Sequence, residues 1–246
     1  MGSFMQVYTD GGGIREARVP DDYMGKGSQA FLEQFIGFKK CLLASLVASS
    51  TASRTSNIVT ITATAHGVPT GATYIGFRFF YPGSAGLAAG WYDSITDVQT
   101  NTISFNAPGA DFGSQSVNSA AAYTTQTVIP GFAMVPANYL NESAVVRIAT
   151  NVGGGTTAAT KTWRPAINGN LLSGVGGTTS PFSVREALLT ITTPTTLGMM
   201  VVGGNLNGII SGAFDRTTEN LITVALTVSA AADFMVCFNA PMIQLM

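Results

Sequence analysis

At 246 residues the chain can bury a substantial core in one or two domains. Charged residues make up 10% of it, against about 25% in soluble domains, while Ser and Thr supply about a fifth of the positions. A net charge of −1 with scattered basic residues excludes an electrostatic footprint for nucleic acid, and so little charge predicts a surface covered by sister copies or by a neighbour.

The opening Met1-Gly2-Ser3-Phe4-Met5-Gln6 is polar and has no basic segment before an apolar one, so synthesis in a cytoplasm without export is expected. Residues 1–55 are set apart by charge, the first 54 holding 11 of the 25 charged residues. Within them 1–27, with Gly11-Gly12-Gly13, reads as an arm for anchoring or assembly. Residues 28–48 predict the one α-helix, with Ser28 as N-cap. Phe31, Phe35, Phe38, Leu42 and Leu46 recur at helical spacing, flanked by Leu32, Ile36, Leu43 and Val47. That stripe is wider than one sheet contact requires. It is either buried between layers or packed against symmetry mates, and the second alternative makes those five residues an assembly interface. Glu33, Lys39 and Lys40 break the apolar run, so it is not a membrane span. Cys41 and Cys237 are far apart, with neither metal-ligand spacing nor a disulfide framework, and predict buried free thiols.

From residue 56 the pattern changes to period two. Ile58 to Thr64 alternates Val59, Ile61 and Ala63 against Thr60, Thr62 and Thr64. Ile75 to Tyr81 puts four large side chains on one face, with Phe80 on the other and free to contact another subunit. Trp91-Tyr92 and Thr102 to Phe105 complete a small antiparallel β-module over 56–125. Residues 126–142 read as a linker, with one strand at Tyr123 to Ile129. Strands are predicted at 143–150, 160–168, 182–193, 197–203, 206–212, 220–229 and 234–245. The clearest, Leu221 to Val228, turns Ile222, Val224, Leu226 and Val228 to a core. The fold class is therefore mainly β, the small module followed over 143–246 by a jelly-roll-like β-sandwich, with one N-terminal helix.

The motifs Ala63-Thr64-Ala65-His66-Gly67, Gly71, Gly90-Trp91-Tyr92 and Asn101-Thr102-Ile103-Ser104-Phe105 resemble a β-module recurrent in bacteriophage virion proteins. The stretch between Phe79 and Gly90 is longer than in that module. Val145-Val146-Arg147-Ile148, the Gly/Thr-rich run Gly153 to Thr160, Lys161-Thr162-Trp163-Arg164 and the last apolar strand resemble the C-terminal jelly roll of phage fibre and decoration proteins. Pro165 departs from that pattern and predicts an edge or a bulge. The resemblance implies a non-enzymatic virion structural protein of capsid-decoration or fibre type, a homotrimer bound to other phage capsid or tail proteins. The first alternative is a receptor-binding or polysaccharide-degrading tail protein; a second, a secreted β-rich toxin or lectin, shares the Ser/Thr-rich strands but is disfavoured by the polar opening and by a helix unsuited to a membrane.

Catalytic, cofactor and metal residues are not expected. His66 has no base-orienting partner in sequence and reads as a turn residue at positive φ. Asp93 and Asp97, with Trp91 and Tyr92 to stack a sugar, are the residues a glycosidase reading would use. Gly153-Gly154-Gly155 and Gly174 to Gly177 lack a following Lys-Ser/Thr or helix and read as loop tips. The predicted interface residues are Phe31, Phe35, Phe38, Leu42, Leu46 and Phe80.

Overall fold

The computed structural model of the chain describes residues 4–8, 14–18, 30–34, 37–119, 126–140, 144–155, 160–172, 175–177, 182–202, 207–211 and 214–245. The fold is mainly β, with its sheets in a sandwich-like arrangement. One layer is a five-stranded sheet in the order β11 (Phe112–Ser116), β5 (Thr51–Thr55), β6 (Ile58–Thr62), β10 (Thr102–Asn106), β9 (Ile95–Gln99). A six-stranded sheet is built on β21 (Asn220–Val228). This strand pairs with β12 (Thr127–Val128) and β13 (Ala133–Val135) on one side and with β15 (Lys161–Ile167) on the other. The short strands β16 (Asn170–Leu171) and β17 (Val175–Gly177) add to β15.

The largest sheet has ten strands. Its main path runs β20 (Asn207–Ser211), β19 (Thr196–Val202), β18 (Phe182–Thr193), β14 (Val145–Gly154), β22 (Asp233–Cys237), β4 (Cys41–Ser45), β7 (Arg78–Tyr81), β8 (Gly90–Tyr92). The strand β23 (Met242–Leu245) pairs with another stretch of β14, and β3 (Ala30–Gln34) pairs with β23. Two strands near the start, β1 (Phe4–Tyr8) and β2 (Ile14–Arg18), form a separate hairpin.

The ten-stranded sheet is the middle layer because β4 and β22 are buried on both faces. Leu42, Ala44, Phe234 and Val236 point to a core shared with Val59, Ile61, Ile103 and Phe105 of the five-stranded sheet. Cys41, Leu43, Met235 and Cys237 point the other way, to Trp163, Val224 and Leu226 of the six-stranded sheet. Every residue of β4 and β22 is buried. A strand covered on both faces needs no polar side and reads as a continuous apolar run.

This corrects the predicted helix at 28–48. The described part of that segment holds β3 and β4, and Ser28 and Phe35 lie outside the described residues. Phe31 is the register partner of Gln244, Phe38 is partly buried against the six-stranded side, and Leu42 and Leu46 are fully buried in the opposite core. In place of a helix the described part of the segment is extended, and within β4 successive residues alternate between two cores, Cys41 and Leu43 on one side and Leu42 and Ala44 on the other.

Other expectations also change. Within 56–125, β6, β9 and β10 belong to the five-stranded sheet, but β7 and β8 join the middle one, β7 running parallel to β4. The expected linker 126–142 carries β12 and β13, both paired with β21. The last predicted strand is two, β22 and β23, on successive stretches of β14. Gly153 and Gly154 end β14 in a buried position, and Val175–Gly177 form β17, so neither run is a loop tip where described. Gly154 leaves no room for a Cβ against Lys161 Cδ and the Phe234 carbonyl.

Pro165 sits where the partner of β15 changes from β17 to β16, while its carbonyl accepts the Leu172 N–H at 2.9 Å. Its missing N–H falls at this local gap in the ladder, as an edge position would require. No helix among the described residues is long and apolar enough to cross a membrane.

Candidate functional site

The face of the six-stranded sheet turned away from the core is the surface best suited to a partner. Ile222, Val224, Leu226 and Val228 enter the core; in the alternate row Leu221 is exposed, Thr223 and Thr227 are half-buried and Ala225 is buried. Across the sheet Leu171 pairs with Ala166, itself buried, and Ala166 with Thr223. In the next row Arg164 pairs with Ala225 and Ala225 with Val128, and Met134 stands opposite Leu221. Val128, Phe132, Leu171 and Leu221 each keep more than a third of their surface exposed. Arg164 is the one charge on the described strand residues of this face, and its guanidinium reaches Gln126 Oε1 at 3.5 Å. Large apolar groups gathered on one face, and not scattered singly, are the pattern of an interaction surface.

The residues expected at an interface, Phe31, Phe35, Phe38, Leu42, Leu46 and Phe80, do not belong to the strands of this sheet. The alternation of 221–228 did show Thr223, Ala225 and Thr227 facing away from the core. Leu221 at the start of that outward row was the available signal. Phe80, expected to be free for a subunit contact, lies on the opposite side of β7 from Phe79 and Tyr81. It meets Trp91 edge to face at 5.4 Å and is partly buried against the six-stranded side.

The carboxylates singled out for sugar chemistry are held differently. Asp93 is exposed and takes Arg78 Nε at 2.5 Å and Lys39 Nζ at 3.4 Å. The Arg78 hydrogen bond, with smaller help from Lys39, pulls its pKa below the usual carboxylate value, the reverse of what a general acid needs. Asp97 accepts the Gln99 amide at 2.8 Å. Trp91 and Tyr92 occupy opposite faces of β8. The Trp91 indole donates to the Val128 carbonyl at 2.7 Å, while Tyr92 packs on Tyr81 and Phe105. The two rings do not form one stacking platform. Among the described residues no group of three His, Cys, Asp or Glu gathers as metal ligands would.

His66 is buried, and the left-handed residues are its neighbours, Ala65 at φ 51° and Gly67 at φ 80°, which corrects the expected backbone conformation. Its Nδ1 accepts the Val68 N–H at 3.2 Å, so Nε2 carries the proton and donates to the Gln99 carbonyl at 2.7 Å. Burial pushes its pKa down, with backbone contacts to Gln99 and Thr102 opposing. A Cβ on Gly67 would collide with the Ala232 carbonyl in the β21–β22 turn. The Ala-His-Gly turn therefore docks the five-stranded layer onto the end of the middle one.

Two further ion pairs lie among the described residues. Lys161 Nζ and Asp233 Oδ2 meet at 2.5 Å, both almost wholly buried, between the six-stranded and middle sheets. On the middle sheet's other face Arg147 grips Glu186 through Nε and Nη2 at 2.8 and 2.9 Å, and Nη1 donates to Gln244 at 2.8 Å.

No protein-family model matches the chain, and no curated protein matches it. Among solved structures it is similar to an insecticidal delta-endotoxin, Cry8Ea1 from Bacillus thuringiensis, at 11% identity and a TM-score of 0.29. The alignment covers 96% of this chain and 47% of the toxin, so the chain spans about half the toxin's length. A likeness that weak says nothing about function.

Proposed function

We propose that the chain is a non-enzymatic structural protein of a bacteriophage particle, of capsid-decoration or fibre type, acting as a symmetric oligomer in the assembled virion. The observation that carries the reading is the outer face of the six-stranded sheet. Val128, Leu171 and Leu221 are exposed there, with Arg164 the one charge among the described strand residues of the face, on a chain in which 10% of residues are charged. The resemblance of Ile58–Phe105 and of 145–246 to virion proteins supplies the setting. In a closed oligomer one such patch recurs on each copy, so several modest contacts hold together what one would not.

Native mass measurement tests the oligomer. A discrete multiple of the chain mass is expected, reduced to the single chain by Leu171→Lys with Leu221→Lys, which place two cations in the face. A single-chain mass for the unaltered protein at micromolar concentration would sink the oligomer. Counting copies in purified particles tests the virion setting: hundreds indicate decoration, a dozen or fewer a fibre, and none removes the reading.

A further inference from the structure

Cys41 and Cys237 are register partners on β4 and β22, adjacent strands inside the ten-stranded sheet. Directly opposed residues of an antiparallel pair stand about 4.5–5.5 Å apart at Cα, within the roughly 4.4–6.8 Å that a disulfide spans. Both side chains leave the sheet on the same side, into the core that holds Trp163 and Leu226. Both are fully buried as thiols.

We infer that Cys41 and Cys237 form an intramolecular disulfide when the chain meets a small-molecule disulfide oxidant, fastening two shared strands across most of the length of the sequence. One cysteine thiolate attacks a sulfur of oxidised glutathione, expels one glutathione thiolate and leaves a mixed disulfide. The second cysteine thiolate attacks the protein sulfur of that mixed disulfide and expels the other glutathione. Two protein thiols are oxidised, one glutathione disulfide is reduced to two thiols, and the protein's two protons end on those thiols or in solvent.

Burial pushes the Cys41 thiol above its usual pKa, and the neighbouring Cys237 side chain adds to the rise. Thiolate is therefore scarce in the folded chain, so the bond closes during folding or transient opening and is afterwards shielded from reductants. A reducing cytoplasm keeps the thiols apart during synthesis, and oxidising surroundings join them later. The inference holds whether or not the chain belongs to a virion.

The full chain, unfolded in guanidinium and refolded in mixed reduced and oxidised glutathione, is weighed intact under denaturing, non-reducing conditions. A mass about 2 Da below that of the reduced chain is expected, the weight of two thiol hydrogens. Digestion should release the Cys41 and Cys237 peptides as one species. The thermal midpoint should fall by several degrees when the same sample is reduced, and Cys237→Ala should show no such dependence on reductant. The mass and peptide results on the unaltered chain stand even if that variant does not fold. Two alkylatable thiols after refolding, glutathione held on either cysteine, or a bridge formed solely between chains would each overturn the proposal.

Discussion

Asp233 is buried at the first position of β22, with Oδ2 on Lys161 and Oδ1 accepting the Phe234 N–H at 2.8 Å. Gly155 makes the room, since a Cβ there would strike Asp233 Oδ1. Desolvating two charges costs several kcal/mol, and their attraction offsets this only while both are present. Asp233→Ala should therefore lower stability by about 3–5 kcal/mol in urea unfolding, because the buried Lys161 loses the carboxylate that faces it. The double change Lys161→Met with Asp233→Leu should recover most of the loss, and no recovery would mean the pair does more than balance charge. His66 adds a pH dependence of definite sign. Its pKa is lowered on folding from about 6.5, so below that value the unfolded chain binds more protons than the folded one. The stability it contributes is full above pH 6.5 and is lost as the pH falls, with a slope of at most about 1.4 kcal/mol per pH unit. Unfolding midpoints measured from pH 7 to 5 should fall for the unaltered chain and fall less steeply for His66→Gln.

Among the elements, legibility followed the number of covered faces. The strand β21 has one buried face, and its alternation of Ile222, Val224, Leu226 and Val228 with Thr223 and Thr227 marked both the strand and its inward side. The expectations at 160–168, 182–193 and 197–203 likewise met β15, β18 and β19 within a residue or two. Strand β4 is covered on both faces, so Cys41-Leu42-Leu43-Ala44-Ser45 carries no alternation, and the phenylalanines before it supplied a spurious helical period. A short apolar run cannot by itself be told from a buried helix segment. Two turn signals in the sequence went unread. Asn168 at φ 50° and Gly169 at φ 78° form the two-residue Asn-Gly turn from β15 into β16, and Ser56 and Asn57, both at positive φ, join β5 to β6. The outer face of the six-stranded sheet was half legible, in Leu221 and the threonines after it. Its other exposed members, Val128 and Leu171, come from the short strands β12 and β16, which only the sheet register brings onto one face.

Sharing the middle sheet couples the two cores of the molecule. Leu42 and Leu43 are consecutive residues of β4, both fully buried, yet Leu42 belongs to the five-stranded side and Leu43 to the six-stranded side. Losing the packing of either side exposes one face of β4 and of β22, so neither core has a complete wall without the other. Both tryptophans, Trp91 and Trp163, pack on the six-stranded side, whereas Tyr74, Tyr81 and Tyr92 pack on the other. Tryptophan fluorescence therefore reports one core alone. Replacing a fully buried leucine by alanine costs about 2–5 kcal/mol. If the layers unfold as one unit, Leu42→Ala must lower the tryptophan-monitored urea midpoint although its side chain never touches the core that the probe reads. Leu43→Ala should shift the same transition by a comparable amount, and near-ultraviolet circular dichroism from the tyrosine-rich side should move with it in both variants. A Leu42→Ala protein whose tryptophan transition stays in place while its tyrosine signal shifts would show instead that the five-stranded layer detaches from a middle sheet able to stand without it.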